Sequence, residues 1–424
     1  MNPTTLTTAT VAEPSWRADV RADATRWLAD HKPPTKRDEL WRYSDVDTLL
    51  EAIAAEPADE SVTVDAATIA RLAGDGAAER LVLVNARAVA DPSSPAGNHR
   101  IVDVLSRRPS DDPCPTESYR SLQDEDWLLA TNRAAAADVA VVEVLAGSQL
   151  DPVQVVHVTA PSARQRVASH PTTLIRVEAG AAAAVVESHV GLDGAAIANA
   201  STTIEVGTGA SLTYHRVEQG VAGSAHAGHV SVQLGTDACL RATSFIIGAS
   251  TTRVVWDIVA AGDGSSVELD GLVVAGSGEH HDHVVTVDHL GSNTNSEQRF
   301  REIVGARASA AFTGRVLVRP GTVGTSAHQR NASLLLAPTA EANARPWLEI
   351  DADDVRCTHG ATVGQLDDEA IFYLRSRGIP EVHARQLLIE GFAGQVLEAV
   401  ELAWLREHLR QSLEEQPAAD RAPR

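Results

Sequence analysis

Between residues 170 and 320 the chain repeats itself. The runs IRVEAGAAAAVVE, IEVGTGASLTYHR, VQLGTDACLRATS, DIVAAGDGSSVEL and, after a gap, IVGARASAAFTGRV share one plan: a β-rich run, a turn carrying glycine or aspartate, and a second run. The turn-following residues Ala181, Ala210, Ala238 and Ser265 stand 29, 28 and 27 positions apart. One such unit cannot bury its own apolar face, so units repeated at this period stack and bury a shared core. The period is too long for hexapeptide coils. It predicts a mainly β protein with a right-handed parallel β-helix (β-solenoid) core over residues 151–365; a β-sandwich is the alternative for short strands at regular spacing. No amphipathic helical pattern interrupts this region before position 366.

Helical signals flank it. Residues 1–14 are polar and Thr/Ala-rich, and are expected to form a disordered tail. From Ser15, a potential N-cap, Trp16, Val20, Trp27 and Leu28 recur at helix spacing until Pro33-Pro34 stops the pattern. The run PTKRDELWRYSDVDTLLE predicts a surface loop that tucks Trp41 and Tyr43 into a groove. LVLVNARAV (81–89) predicts a buried strand, and 121–137 a helix ahead of the strand VAVVEVLAG. Together, residues 15–150 form an expected N-terminal helical and mixed α/β domain.

After the β region, Asp367 is placed as an N-cap, with Leu366 and Ile371 as a hydrophobic staple and Gly378 at the C′ position. Pro380 opens a second helix carrying Val382, Leu387, Leu388 and Ile389, in which Gly391 and Gly394 are expected to break the helix or bring backbones close. A third run, Val396 to Leu409, has its apolar stripe at Val396, Leu397, Val400 and Trp404. Residues 366–412 are thus an expected C-terminal helical domain, and 413–424 a disordered tail.

Composition removes several functions. A net charge of −21 disfavours nucleic acid and anionic membrane surfaces, because neutralising phosphates takes clustered positive charge. Lysine occurs only at Lys32 and Lys36, so neither a P-loop lysine nor a Schiff-base lysine exists beyond residue 36. Aromatic content of 4% argues against sugar- or base-stacking surfaces. Cys114, Cys239 and Cys357 are far apart and odd in number, which fits a reduced cytoplasmic protein without a disulfide framework. The N-terminus lacks the basic and apolar regions of a signal peptide. No G-x-S-x-G motif supports acyl transfer by serine.

Two places carry metal-ligand chemistry. In RCTHGATVGQL, Cys357 and His359 fall two residues apart, on one face of a strand, with Asp353 and Val355 on the same side. Thiolate and imidazole suit iron, zinc or copper(I), but two ligands do not complete a tetrahedral site, so the remainder would come from elsewhere, most economically a second chain. A buried cysteine beside a satisfied histidine explains the pair equally well. The second place is Glu279, His280, His281, Asp282, His283, Asp288 and His289. A strand would put His281, His283 and His289 on one face; a solvated polar β-turn is the simpler explanation.

The run EIDADDVRCTHGATVGQLDDEAIFYLRSRGI resembles the C-terminal signature of the SufD family, scaffold subunits of the SufB–SufC–SufD iron–sulfur cluster assembly machine. PTKRDELWRYS and DHLGSNTNSEQRF resemble further stretches of that family. The resemblance covers roughly residues 15–410 and implies a β-helix core flanked by helical ends. It implies that His359, and with less support Cys357, faces a SufB-like subunit where a transient Fe–S cluster assembles, no cofactor being held stably by this chain alone. It implies a non-catalytic scaffold whose C-terminal helices dock a SufC-like ATPase; the candidate contacts there are Leu366, Ile371, Phe372, Leu374, Arg375, Leu387, Leu388 and Phe392. GTVGTSAHQRNASLLLAP carries no cysteine where SufB relatives have one. The rivals are a stand-alone homodimeric iron- or cluster-binding scaffold pairing Cys357 and His359 across a two-fold axis, and a β-helix polysaccharide enzyme, which low aromatic content opposes.

Overall fold

The computed structural model describes residues 13–54, 56–57, 62–77, 79–89, 102–108, 113–120, 126–160, 167–192 and 196–415. From Ala182 onward successive strands alternate between two sheets, and each pairs in parallel with the strand two places on. One sheet climbs from Ala140–Val144 through Thr172–Val177 to Glu341–Ile350, and the other from Glu79–Val84 through Val153–Thr159 to Val355–Gln365. This is the β-solenoid that the repeat predicts.

The turns explain the period. Gly180, Gly209, Asp237, Gly264, Asn293 and Gly324 all adopt positive φ, between 54° and 73°. Glycine, asparagine and aspartate enter that region at least cost. Each of these residues donates its N–H to a carbonyl in the same turn of the next coil: Gly180 to Thr208 (2.9 Å), Gly209 to Thr236 (2.8 Å), Asp237 to Asp263 (2.8 Å), Gly264 to Ser292 (2.9 Å), Asn293 to Val323 (2.7 Å) and Gly324 to Asp354 (2.8 Å). The turns are therefore stacked as tightly as the strands.

Between the sheets lies an apolar core that includes Ile175, Ile204, Leu212, Leu240, Trp256 and Phe312. A second core forms where the outer face of the second sheet (Phe245, Leu272, Ile303) meets the C-terminal helices through Ile389, Val396, Leu405 and Leu409. Complete burial of one such side chain contributes roughly 1.5–3 kcal/mol.

Helix α1 (Ser15–Asp30) begins at Ser15 but is not capped by it; Pro14 holds the N-cap position without a side-chain bond. Trp41 is buried as expected, beneath the Arg253 guanidinium at 4.1 Å, and α2 (Val46–Ile53) follows it. After α3 (Ala66–Ala73), the expected strand 81–89 is a strand only to Val84. Asn85 and Ala86 then turn the chain at φ 50° and 58° into the short antiparallel pair Arg87–Ala88. Asn85 locks this turn by exchanging hydrogen bonds with the backbone of Ala160. The helix expected over 121–137 is α4 (Trp127–Ala135), capped by Asp126; residues 121–125 lie outside the described set.

Helices α5 (Asp368–Ser376), α6 (Glu381–Leu397) and α7 (Ala403–Glu415) close the chain. Asp367 caps α5 through Glu369 N–H. Two expectations fail here. Helix α6 runs unbroken through Gly391 and Gly394, and no atom outside their own helix lies where a Cβ would meet it, so neither glycine serves a break or a close approach. The third run is split, because Val396 and Leu397 finish α6 and α7 starts only at Ala403. The last helix also extends past position 412 to Glu415 with Leu413 buried, since that side chain completes the second core. Residues 1–12 and 416–424 lie outside the described set.

Candidate functional site at the open end of the solenoid

Strands Glu341–Ile350 and Val355–Gln365 form the last coil, each the final member of its sheet. In the coil beneath, Thr325, Ala327, Gln329, Asn331 and Ser333 point inward and are buried. Their register partners in the last coil are Val355, Cys357, His359, Ala361 and Val363, so the last three are exposed only because nothing is stacked on them. Cys357 sits half-buried above Ala327 among Val316 and Val318, and burial pushes its thiol pKa up. His359 is exposed above Gln329, which donates a 3.0 Å hydrogen bond to Gln298 one coil lower. It also borders a cavity of about 370 Å³ between the second sheet and α6, together with Arg299, Arg301, Arg330 and Gln395. The spacing rule thus places Cys357 and His359 on one face; Asp353 falls before the strand. Among the described residues, no group of three metal-ligating side chains includes either.

The histidine run is not a solvated turn. His280–His289 is a strand with His281, His283 and His289 completely buried on its inward face. His283 Nε2 meets Ser244 Oγ at 2.8 Å, His281 pairs with Glu279 at 3.1 Å, and His289 is held by Thr294 and Ser296 at 2.7 and 2.9 Å. Burial lowers His283 to a pKa of about 3 and His289 to about 4, keeping both neutral. Asp282 belongs to the outer side, where Arg253 and Ser44 bind it and so fasten the N-terminal segment to the solenoid. Among the described residues, these histidines join no metal-ligating group of three, and the contacts they make are packing and hydrogen bonds.

A polar cluster nearer the N-terminal end of the solenoid went unnoticed in the sequence. Glu187 is completely buried and accepts from Thr173 (2.7 Å), Thr202 (2.8 Å) and the Tyr214 hydroxyl. Arg216 spans two carboxylates, 3.5 Å from Glu187 and 2.6 Å from Glu218. His157, His189 and His226 surround them. Although burial alone would raise both acids, the His157 and His189 imidazoles 3.3 Å away, with Arg216, hold Glu187 well below the carboxylate range, and the Arg216 charge does the same for Glu218. The signal was the register itself: Glu187 pairs with Arg216, and His189 with Glu218, at the coil repeat.

Comparison with known proteins agrees with this architecture. The family model described as "SUF system FeS cluster assembly, SufBD core domain" matches residues 158–392, more than half of the chain. The chain belongs to the SufBD family. It is 33% identical over 260 residues to the iron–sulfur cluster assembly protein SufD of Escherichia coli, covering 61% of this chain and 62% of that protein. A SufBD family protein of Synechocystis is 31% identical over 296 residues, covering 66% and 64%. One from Mycobacterium leprae is 35% identical over 189 residues, covering 43% and 48%. The chain therefore spans less than two thirds of the length of these relatives. By this similarity it is a SufD-like member of the family.

The family match encloses both the interior cluster from Glu187 on and the open-end pair, and it reaches into α6. Of the residues singled out on the C-terminal helices, Phe372 is 73% and Leu387 48% exposed, and Arg375 is also exposed. Leu366, Leu374, Leu388 and Phe392 are half-buried, Phe392 beneath Arg301 at 4.6 Å. Ile371 is buried and supports α5 rather than offering a contact. Tyr373 and Val382 extend the exposed apolar surface. No helix among the described residues is long and apolar enough to cross a membrane.

Proposed function

We propose that this chain is a SufD-like scaffold subunit that assembles iron–sulfur clusters in the cytoplasm jointly with a SufB-like chain, without being a catalyst itself. The observation that carries this reading is the uncovered last coil, with Cys357 and His359 on its inward face. Two edge strands of 10 and 11 residues leave backbone donors and acceptors unpaired, and such an edge is stable when another chain covers it. A SufB-like partner seated there would bring its own ligands opposite His359. The imidazole is accessible without rearrangement, whereas the Cys357 thiol would have to lose its proton on binding iron. The cluster is cargo, held transiently in the joint site.

The exposed apolar residues Phe372, Tyr373, Val382 and Leu387 suit docking of a SufC-like ATPase. Nucleotide-driven movement of that subunit would then alter the geometry of the paired ends. To test the reading, the chain is co-expressed with SufB and SufC partners as wild type and as His359→Ala, and iron and acid-labile sulfide are measured per purified complex. The expected result is that both complexes form and only the variant loses cluster. Normal loading of the variant would make this subunit architectural. A chain that ignores both partners and pairs only with itself would favour the homodimeric scaffold.

A further inference from the structure

We propose that His189, Glu218 and His226, inside the solenoid, bind one divalent first-row metal ion of the zinc(II) or iron(II) type, at a site separate from Cys357 and His359. One ligand atom from each lies within 4.8 Å of the other two, and His157, Glu187 and His189 form a second such group that shares His189. The two groups share His189 and so adjoin each other.

The donors are free to coordinate. Glu218 Oε1 is tied to Arg216 Nε at 2.6 Å, while its Oε2 approaches His226 Nε2 at 2.7 Å without hydrogen-bond alignment. Among the described residues His189 Nδ1 has no hydrogen-bond partner, and its Nε2 stands 3.3 Å from Glu187, also outside hydrogen-bond geometry. All three side chains line a cavity of about 20 Å³ shared with Thr252, Gly220 and Ala249; Arg216 is not among the lining residues. That volume admits one water or one ion.

Charge supplies an independent reason. Glu187 and Glu218 are fully buried carboxylates that share one buried guanidinium, so two acids lean on a single permanent cation. Uncompensated buried charge is costly, and a bound cation removes the cost. Two imidazoles and a carboxylate with no thiolate match zinc(II), cobalt(II) and iron(II).

The test uses the full-length chain, stripped with a chelator and titrated with cobalt(II). One equivalent should bind with visible d–d absorption, about tenfold or more weaker in Glu218→Gln and His226→Ala, and unchanged in the double variant Cys357→Ser/His359→Ala. Zinc-edge X-ray absorption of the wild type should show only nitrogen and oxygen neighbours near ~2.0–2.1 Å, without sulfur at ~2.3 Å. The proposal is overturned if no cobalt binds, if the two interior variants bind normally, or if sulfur enters the shell. Should the interior variants fail to fold, the zinc spectrum and stoichiometry of the Cys357→Ser/His359→Ala chain decide alone. One nitrogen- and oxygen-bound zinc supports the site, and none refutes it.

Discussion

The layer of Glu187, Arg216 and Glu218 and the layer of Cys357 and His359 project from the same sheet into the same interior, yet obey opposite rules. In the first, strands above and below enclose the carboxylates, which lean on Arg216 and on the surrounding hydroxyls and imidazoles. In the second, the column ends, and groups that would be buried one coil lower meet solvent. Position within the stack, more than residue type, decides whether a polar side chain serves stability or is available to a partner.

The sharpest way to break this comparison is Arg216→Met. It strands two buried carboxylates and should cost about 3–5 kcal/mol of unfolding free energy in urea melts; a loss below about 1 kcal/mol would mean that the interior layer is not closed by charge. Glu302 sharpens it through pH. Burial raises this carboxyl to a pKa of about 7, above its unfolded value. Its favourable contribution is therefore complete below about pH 4.5 and lost as pH rises through 7. Glu302→Gln should match the wild type near pH 4 and exceed it by up to about 3 kcal/mol at pH 8, read from unfolding at both values.

One layer beneath the open end, Gln329→Leu leaves Gln298 without its donor and should cost about 1–3 kcal/mol, seen as a lowered Tm. At the end itself, His359→Ala should shift stability by no more than about 0.5 kcal/mol. A larger shift would place His359 in the fold and contradict its exposure.

Legibility in the sequence followed the same division. The stacked turns were visible because Gly180, Gly209, Asp237 and Gly264 are residue types that left-handed backbone favours. The opposite corner is marked less evenly: Gly223 and Gly278 carry positive φ there, but so do Ala249 and Arg307, at 67° and 56°, without any such mark. Cys357 and His359 could be put on one face from strand alternation alone. Their exposure could not, because it depends on where stacking stops. The interior ionic cluster broke the expectation that inward positions are apolar, and its members are scattered from His157 to His226 until the coils are aligned. The histidine run misled in the other direction: polar composition suggested water, while the inward imidazoles are buried against Ser244, Glu279, Thr294 and Ser296.

Because every coil repeats the register of the one before, the face this protein presents is whichever layer happens to come last. A shaft ending one step earlier would offer Ala327 and Gln329 where Cys357 and His359 now stand. Chemistry at the tip can therefore be rewritten by editing one coil while the shaft below is left untouched, and a lineage could change what its rods join to without redesigning the rods.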